Sequence, residues 1–374
     1  MRPHFQTWLC AALAACASLL HAGTVLTTDG ALYDGDLKLD HGIVAQRAGI
    51  PVKLPFSSIL RARFAPSSPL LPPGVVLVNG CRVAGAFSSL AAPLVKIPAK
   101  NITLPSKEIA WAIYQPVHPS LAGQAPTGKT GALLQNGDFF EGTSRGGDSN
   151  TAKLLSPVFG PRTFSPSELN ALILRDVQPQ PAAYEVLTRD GSLYPALDIL
   201  ADDATQITVR HPLYNGLRLP LSELVEIRAS RSRLVSLDEV PPTRVEIPPG
   251  RQAAACFAAN RTIAGGPLKL GTRTVTAGFE CATGAAVWWK PPPAAGTFFA
   301  IVAPDADTPA GQRLTFSVYA DGKVAGRSAP LAAGDPPAVL RCTVSGAESL
   351  VLRIEGTNGT AGNGTWAEPM LLLR

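Results

Sequence analysis

GTVLTTDGALYDGDL, residues 23–37, decides the fold. Apolar and polar residues alternate on both sides of Asp29-Gly30, a dipeptide that accepts the positive φ of a tight hairpin and so fixes the register of two strands. Gly35, a few positions into the second strand, lets a bent strand pass close to another backbone. Further on, VAQRAGIPVKLPFSSILRARF (44–64) runs through a strand into Leu54-Pro55, a short turn and a closing strand. Aligned on its Asx-Gly dipeptides, the chain repeats this grammar three more times. GVVLVNGCRVAGAF (74–87) leads to ITLPSKEIAWAIY (102–114), GALLQNGDFFEGT (131–143) to RTFSPSELNALIL (162–174), and YEVLTRDGSLYPALDI (184–199) to LRLPLSELVEIRA (217–229). Ser57, Ser167 and Ser222 are placed to start one helical turn before each closing strand.

Composition agrees. The 374 residues are 46% hydrophobic and 16% charged, with 34 Gly and 35 Pro, which suits many short strands and excludes a disordered chain. The expected class is all-β: repeats at 23–65, 74–115, 131–177 and 184–230, then a β-sandwich at 236–374. About 45 residues close a small five-stranded barrel and little more. The net charge of +5 is weak, and the cluster Arg228, Arg231 and Arg233 reads as a solvated linker. Residues 1–22 read as an export signal, with Arg2 before an apolar run and cleavage after Ala22. The alternative is LAAC (13–16), a lipoprotein spacing that would acylate Cys16. Cys81, Cys256, Cys281 and Cys342 include no CxxC pair, which argues against zinc. They read either as one disulfide among the last three or as small buried residues.

GQAPTGKT (123–130) satisfies the phosphate-loop pattern letter for letter. A Pro-containing linker precedes it and a hairpin follows, so the strand and helix that such a loop requires are missing, and nucleotide binding is not expected. The histidines stand in no GxSxG or HExxH context, and no pair of facing carboxylates is marked, so catalysis is not expected.

The repeat grammar resembles Sm-like and SH3-like small β-barrels. Sm proteins hold RNA with an Arg-Gly pair before the last strand, where this chain has Leu54-Pro55, Leu104-Pro105 and Leu219-Pro220. No nucleic-acid partner is expected; a spacer or a protein-interaction surface is.

The C-terminal strands resemble the NPCBM family of carbohydrate-binding modules, jelly rolls of the galactose-binding-like type. The likeness rests on GQRLTFSVYADGKVAGRSAPL (311–331), a hairpin about Asp321-Gly322, and on ESLVLRIEGTNGTAGNGTWAEPMLLL (348–373). It implies a glycan ligand and puts Trp366 and Glu368 at the family's Trp and acidic positions. The chain departs from the family at Arg273, where a His is usual, and at Gly364-Thr365, where an Asp-His pair is frequent. Sugar binding calls for an exposed aromatic face beside fixed hydrogen-bonding groups. Trp288, Trp289 and Trp366 are the candidate platforms; adjacent strand residues point to opposite faces, so one of Trp288 and Trp289 faces outward. Asp305 and Asp307 in APDADTPAG have the spacing of a structural Ca²⁺ loop or of a plain turn. No other cofactor is expected. The reading is an exported, non-catalytic protein that binds envelope or environmental polysaccharide; the alternative is a cell-envelope assembly protein with a ligand-free jelly-roll cap.

Overall fold

A computed structural model describes residues 23–374 except 48, 66–69, 119, 120, 122–124, 202, 215, 231, 232, 272, 276, 310 and 358–361. The export signal, Cys16 and Arg231 lie outside the described residues. The described chain is all-β, in two bodies.

Each repeat shows the same turn. Thr27, Leu77, Leu134 and Thr188 donate their N–H groups to the carbonyls of Ala31, Cys81, Asp138 and Ser192, closing three-residue loops. In every loop the Gly sits at positive φ: Gly30 at 86°, Gly80 at 87°, Gly137 at 90° and Gly191 at 84°. The preceding Asp or Asn instead uses its side-chain oxygen, accepting from the N–H two residues on at 3.0–3.3 Å. The turns are thus three-residue loops with one left-handed Gly rather than two-residue turns, since the Asx position does not enter the left-handed region. Ser57 and Ser222 lie inside the 3-10 turns Phe56–Ser58 and Leu221–Glu223 and do not start them; Pro55 and Pro220 precede these turns, with no side-chain cap.

In each repeat the first strand lies between the second and the closing strand. For repeat 1 these are Gly23–Thr27, Leu32–Leu39 and Ile59–Arg63. The repeats are not beads on a string. Closing strands pair edge to edge, Ile59–Arg63 with Leu224–Ala229 and Ile109–Ile113 with Leu169–Ile173. The second strands of repeats 2 and 4 meet at Arg82↔Leu193. One 14-stranded sheet results, with the repeats in the order 3, 2, 4, 1 and one shared apolar core. That core includes Val25, Val75, Ala132 and Val186, all fully buried. Pooling the interiors is the physical gain, because a body of about 45 residues buries too little surface to be stable alone.

Residues from Leu234 onward form the jelly roll, two sheets packed face to face. One contains Gly278–Ala282, Ala295–Pro304, Ala338–Thr343 and Asn363–Leu373; the other contains Arg244–Glu246, Ala286–Trp289, Arg313–Ala320, Lys323–Arg327 and Leu350–Gly356. Phe279, Phe298, Phe316, Trp289 and Trp366 fill the space between them. The hairpin at Asp321-Gly322 has both residues at positive φ, 50° and 76°, as a two-residue turn requires. All four described cysteines are free and buried, so no disulfide links Cys256, Cys281 or Cys342. Burial pushes the Cys81 thiol up to about 12, which keeps it protonated and inert.

The outer face of the first sheet docks on the repeats. Phe299, Ile301, Ala303 and Met370 pack with Leu26, Leu60 and Ala229. Beside them Arg61, Arg63 and Arg228 interleave with Glu185, Glu226, Glu239 and Glu368. Arg228 therefore belongs to a buried ion network; charge alone could not separate this from a solvated linker.

Candidate functional site

The second sheet of the jelly roll turns its other face to solvent, and strand alternation decides what that face carries. In Leu350–Gly356, Leu350, Leu352 and Ile354 point into the core, leaving Val351, Arg353 and Glu355 outside. In Arg313–Ala320, Leu314, Phe316 and Val318 go inward and Ser317 and Tyr319 outward. In Ala286–Trp289, Val287 and Trp289 are core residues and Trp288 is half-buried on the outer side. Register then brings these groups together. Arg244 lies beside Trp288, Trp288 beside Val351 and Val351 beside Tyr319; Ser317 is flanked by Arg353 and Arg327.

These side chains form a ladder across all five strands. The Arg244 guanidinium lies 5.7 Å from the Trp288 ring centre and pairs with Glu246 at 2.8 Å. Arg353 reaches Glu246 at 4.0 Å and lies 6.0 Å from the Tyr319 ring. The Tyr319 hydroxyl donates to Glu355 at 3.2 Å, and Arg327 donates to Glu355 at 2.9 Å and to Ser317 at 3.0 Å. Two donors on this face, Trp288 Nε1–H and Arg353 Nε–H, are shielded from solvent and have no protein acceptor. Such groups cost free energy unless something accepts from them. Two aromatic rings two strand intervals apart, about 10 Å, with Val351 between them and guanidinium and carboxylate groups alongside, offer apolar faces for C–H groups and both kinds of partner for hydroxyls.

The other candidate residues are placed differently. Trp366 is 0% exposed, edge-on to Phe316 at 5.3 Å and Phe298 at 6.1 Å, so its face is unavailable for stacking. Trp289 is likewise core, stacked on Phe279, its Nε1–H given to the Val240 carbonyl at 3.0 Å. Glu368 sits at a bulge of Asn363–Leu373 with φ 49°, where the register to Ala295–Pro304 shifts. The bulge aims its carboxylate at the repeats, where Arg61 and Arg63 donate to it at 2.6 and 2.9 Å, so it is an interdomain anchor. Arg273 lies in the strand Arg273–Val275, paired with Leu270; its side chain lies outside the described residues.

Asp305 and Asp307 follow the strand Ala295–Pro304 and adjoin Glu280, a residue the sequence reading missed. Glu280 is 1% exposed, accepts the Ile263 N–H and has its other oxygen without a hydrogen-bond partner. Burial first, then Asp305 and Asp307, push its carboxyl up to about 8. Among the described residues no three His, Cys, Asp or Glu side chains are arranged to hold a metal ion. Asp305 forms a turn, its carbonyl accepting from the Thr308 N–H at 3.0 Å. In the phosphate-loop match, Gly123 and Gln124 lie outside the described residues. Lys129 pairs with Glu141 at 2.6 Å, and the strand Gly131–Leu134 follows.

A cleft of about 480 Å³ opens between repeat 1 and the jelly roll, lined by Asp29, Leu32, Arg47, Leu270, Ile301 and Val339. Its walls are mainly aliphatic and hold no aromatic platform.

Comparison with known proteins agrees with this division of the chain. Residues 237–372 match the family model of the NPCBM/NEW2 domain. No curated protein matches the chain. Among solved structures, the CBM51 from Clostridium perfringens GH95 in complex with methyl-galactose is 14% identical, covering 37% of this chain and 99% of that one, with a TM-score of 0.33. The CBM51-2 and INT domains from Clostridium perfringens ZmpB are 15% identical, covering 47% of this chain and 40% of that one, with a TM-score of 0.34. The part of the chain that matches the NPCBM/NEW2 domain model, residues 237–372, is thus the jelly roll.

Proposed function

We propose that the chain is an exported, non-catalytic protein that binds polysaccharide of the cell envelope or the environment through the solvent-facing sheet of its jelly roll. The observation that carries this reading is the pair of half-buried rings on the outward face, Trp288 and Tyr319, flanked by the Arg244 and Arg353 guanidinium groups and the Glu355 carboxylate. A sugar ring lying across this face meets apolar ring edges and exposed guanidinium and carboxylate groups. The family match supports a glycan as the ligand. Residues 1–22 support export, and no helix among the described residues is long and apolar enough to cross a membrane. The repeats act as a rigid base, since the jelly roll buries Phe299, Ile301 and Met370 against them.

The test is a polysaccharide and glycan panel probed with the full chain, because the isolated jelly roll would expose that docking face. Retention on at least one polysaccharide class, lost in Trp288→Ala, is the expected result. A blank panel with folded protein would rule the proposal out.

A further inference from the structure

The second strand of every repeat has one edge engaged by its own first strand and an outward edge at an equivalent position: Leu32, Arg82, Phe139 and Leu193. Three of these edges are covered. In repeat 1, the strand Ile43–Arg47 pairs along this edge from Asp34 to Leu39, and Leu32 packs beneath the jelly roll with Phe299, Ile301 and Met370. In repeats 2 and 4, Arg82 and Leu193 face each other in an antiparallel pair. The opposing turns tighten that junction: Arg82 Nε donates to the Gly191 carbonyl at 2.7 Å, Ala84 N–H to Ser192 Oγ at 2.9 Å, and Lys100 pairs with Asp190 at 2.8 Å.

Repeat 3 is the exception. Its second strand, Phe139–Glu141, ends the 14-stranded sheet, and among the described residues no strand pairs with its outer edge. Next to it, the tip of the Thr151–Ser156/Gly160–Phe164 hairpin presents Val158 at 78% and Phe159 at 62% exposure. Phe159 stacks on Phe140 at 5.5 Å, and Phe164 meets Phe140 edge-on at 5.4 Å. An unpaired edge beside exposed aromatic surface is a template for another strand. The opposite end of the sheet, Ile50–Leu54, is guarded by Pro51, which has no N–H to give, and by Lys53.

We propose that this edge is a dimer interface, covered by repeat 3 of a second copy of the chain. The two Phe139–Glu141 strands pair antiparallel about a two-fold axis at Phe139, repeating between copies the junction that Arg82 and Leu193 make within one. In this register Phe139 faces Phe139 of the second copy, Asp138 faces Phe140 of the second copy and Glu141 faces Gly137 of the second copy. No like charges stand directly opposite, and Lys129 already neutralises Glu141 at 2.6 Å. Such an interface is self-complementary, so assembly closes at two copies and does not run on into a fibre.

Sedimentation velocity of the full chain over a concentration series tests this. Wild type sediments as a dimer at micromolar concentration. Phe139→Lys sets two ammonium groups against each other at the axis and raises the dissociation constant roughly a hundredfold. A second variant covers the case in which Phe139→Lys does not fold. Residues directly opposite on antiparallel strands have Cα atoms about 4.5–5.5 Å apart, within disulfide reach, and the four described native cysteines are buried. Under mild oxidation Phe139→Cys therefore gives a covalent dimer, while Ile50→Cys at the guarded end gives none. A monomer at every concentration, cross-linking of Ile50→Cys as readily as of Phe139→Cys, or association unaffected by Phe139→Lys with Phe139→Cys uncross-linked would each overturn the proposal.

Discussion

Replacing Glu368 by Gln tests whether the jelly roll and the repeats form one cooperative body. The carboxylate is 7% exposed and accepts from Arg61 at 2.6 Å and Arg63 at 2.9 Å; Arg61 is 2% exposed. Gln keeps the shape and one acceptor oxygen but removes the negative charge. Arg61 then depends on Glu226 at 3.6 Å and Glu239 at 3.7 Å, neither within good hydrogen-bonding distance. Breaking one side of a buried ion pair costs about 3–5 kcal/mol. Since Gln still accepts one bond, the low end applies, about 3 kcal/mol. Urea unfolding, followed by Trp fluorescence and by far-UV circular dichroism, reads the loss as a lower midpoint in both probes. The apolar pair Arg61→Met/Glu368→Leu recovers part of it, because neither charge is then left alone in the interface. A loss below about 0.5 kcal/mol, the scale of an exposed pair, would refute the reasoning, as would a transition in one probe only.

Three further outcomes follow from buried groups. Burial alone would raise the Glu226 carboxyl, but Arg61, Arg63 and Arg228 hold it down at about 2, below its ordinary 4.5. Its contribution is complete above pH 4.5 and is lost as the pH falls through 2; an acid melting series should show stability dropping across that window, less steeply in Glu226→Gln. Glu280 has the opposite sign: raised to about 8, it contributes fully below pH 4.5 and progressively less up to pH 8. Melting at pH 5 and pH 8.5 should differ in wild type and converge in Glu280→Gln. Trp366→Ala removes the ring between Phe298 and Phe316, costing about 3–5 kcal/mol, read by chemical denaturation.

The Asx-Gly grammar was legible in the sequence because left-handed backbone leaves a Gly in all four copies. Turn length was not, since Asn and Asp serve equally well as a left-handed residue and as a side-chain cap. Edge-to-edge fusion of the repeats was hidden for a related reason: strand pairing between copies depends on what the outer edges carry. The traces were there. Arg61 and Arg63 on one closing strand complement Glu226 on another, whereas Trp111 and Ile113 meet Ile173 and Ala171. In the jelly roll the family likeness located Trp366 and Glu368 but not their surroundings, which are a core and a bulge. Glu280 announced itself as the single charge in an apolar strand, GFECA (278–282). Tyr319, Arg353 and Glu355 were available from the two-residue alternation of RLTFSVYA (313–320) and LVLRIEG (350–356), which also sends Trp288 outward and Trp289 inward.

Calorimetric titration of full-length wild type and Trp288→Ala with the polysaccharide retained on the panel tests the sheet-face site most directly. The account predicts at least about a tenfold weaker association for the variant, at an unchanged fold by circular dichroism. Equal affinity in the two proteins would contradict it and place the glycan elsewhere on the molecule.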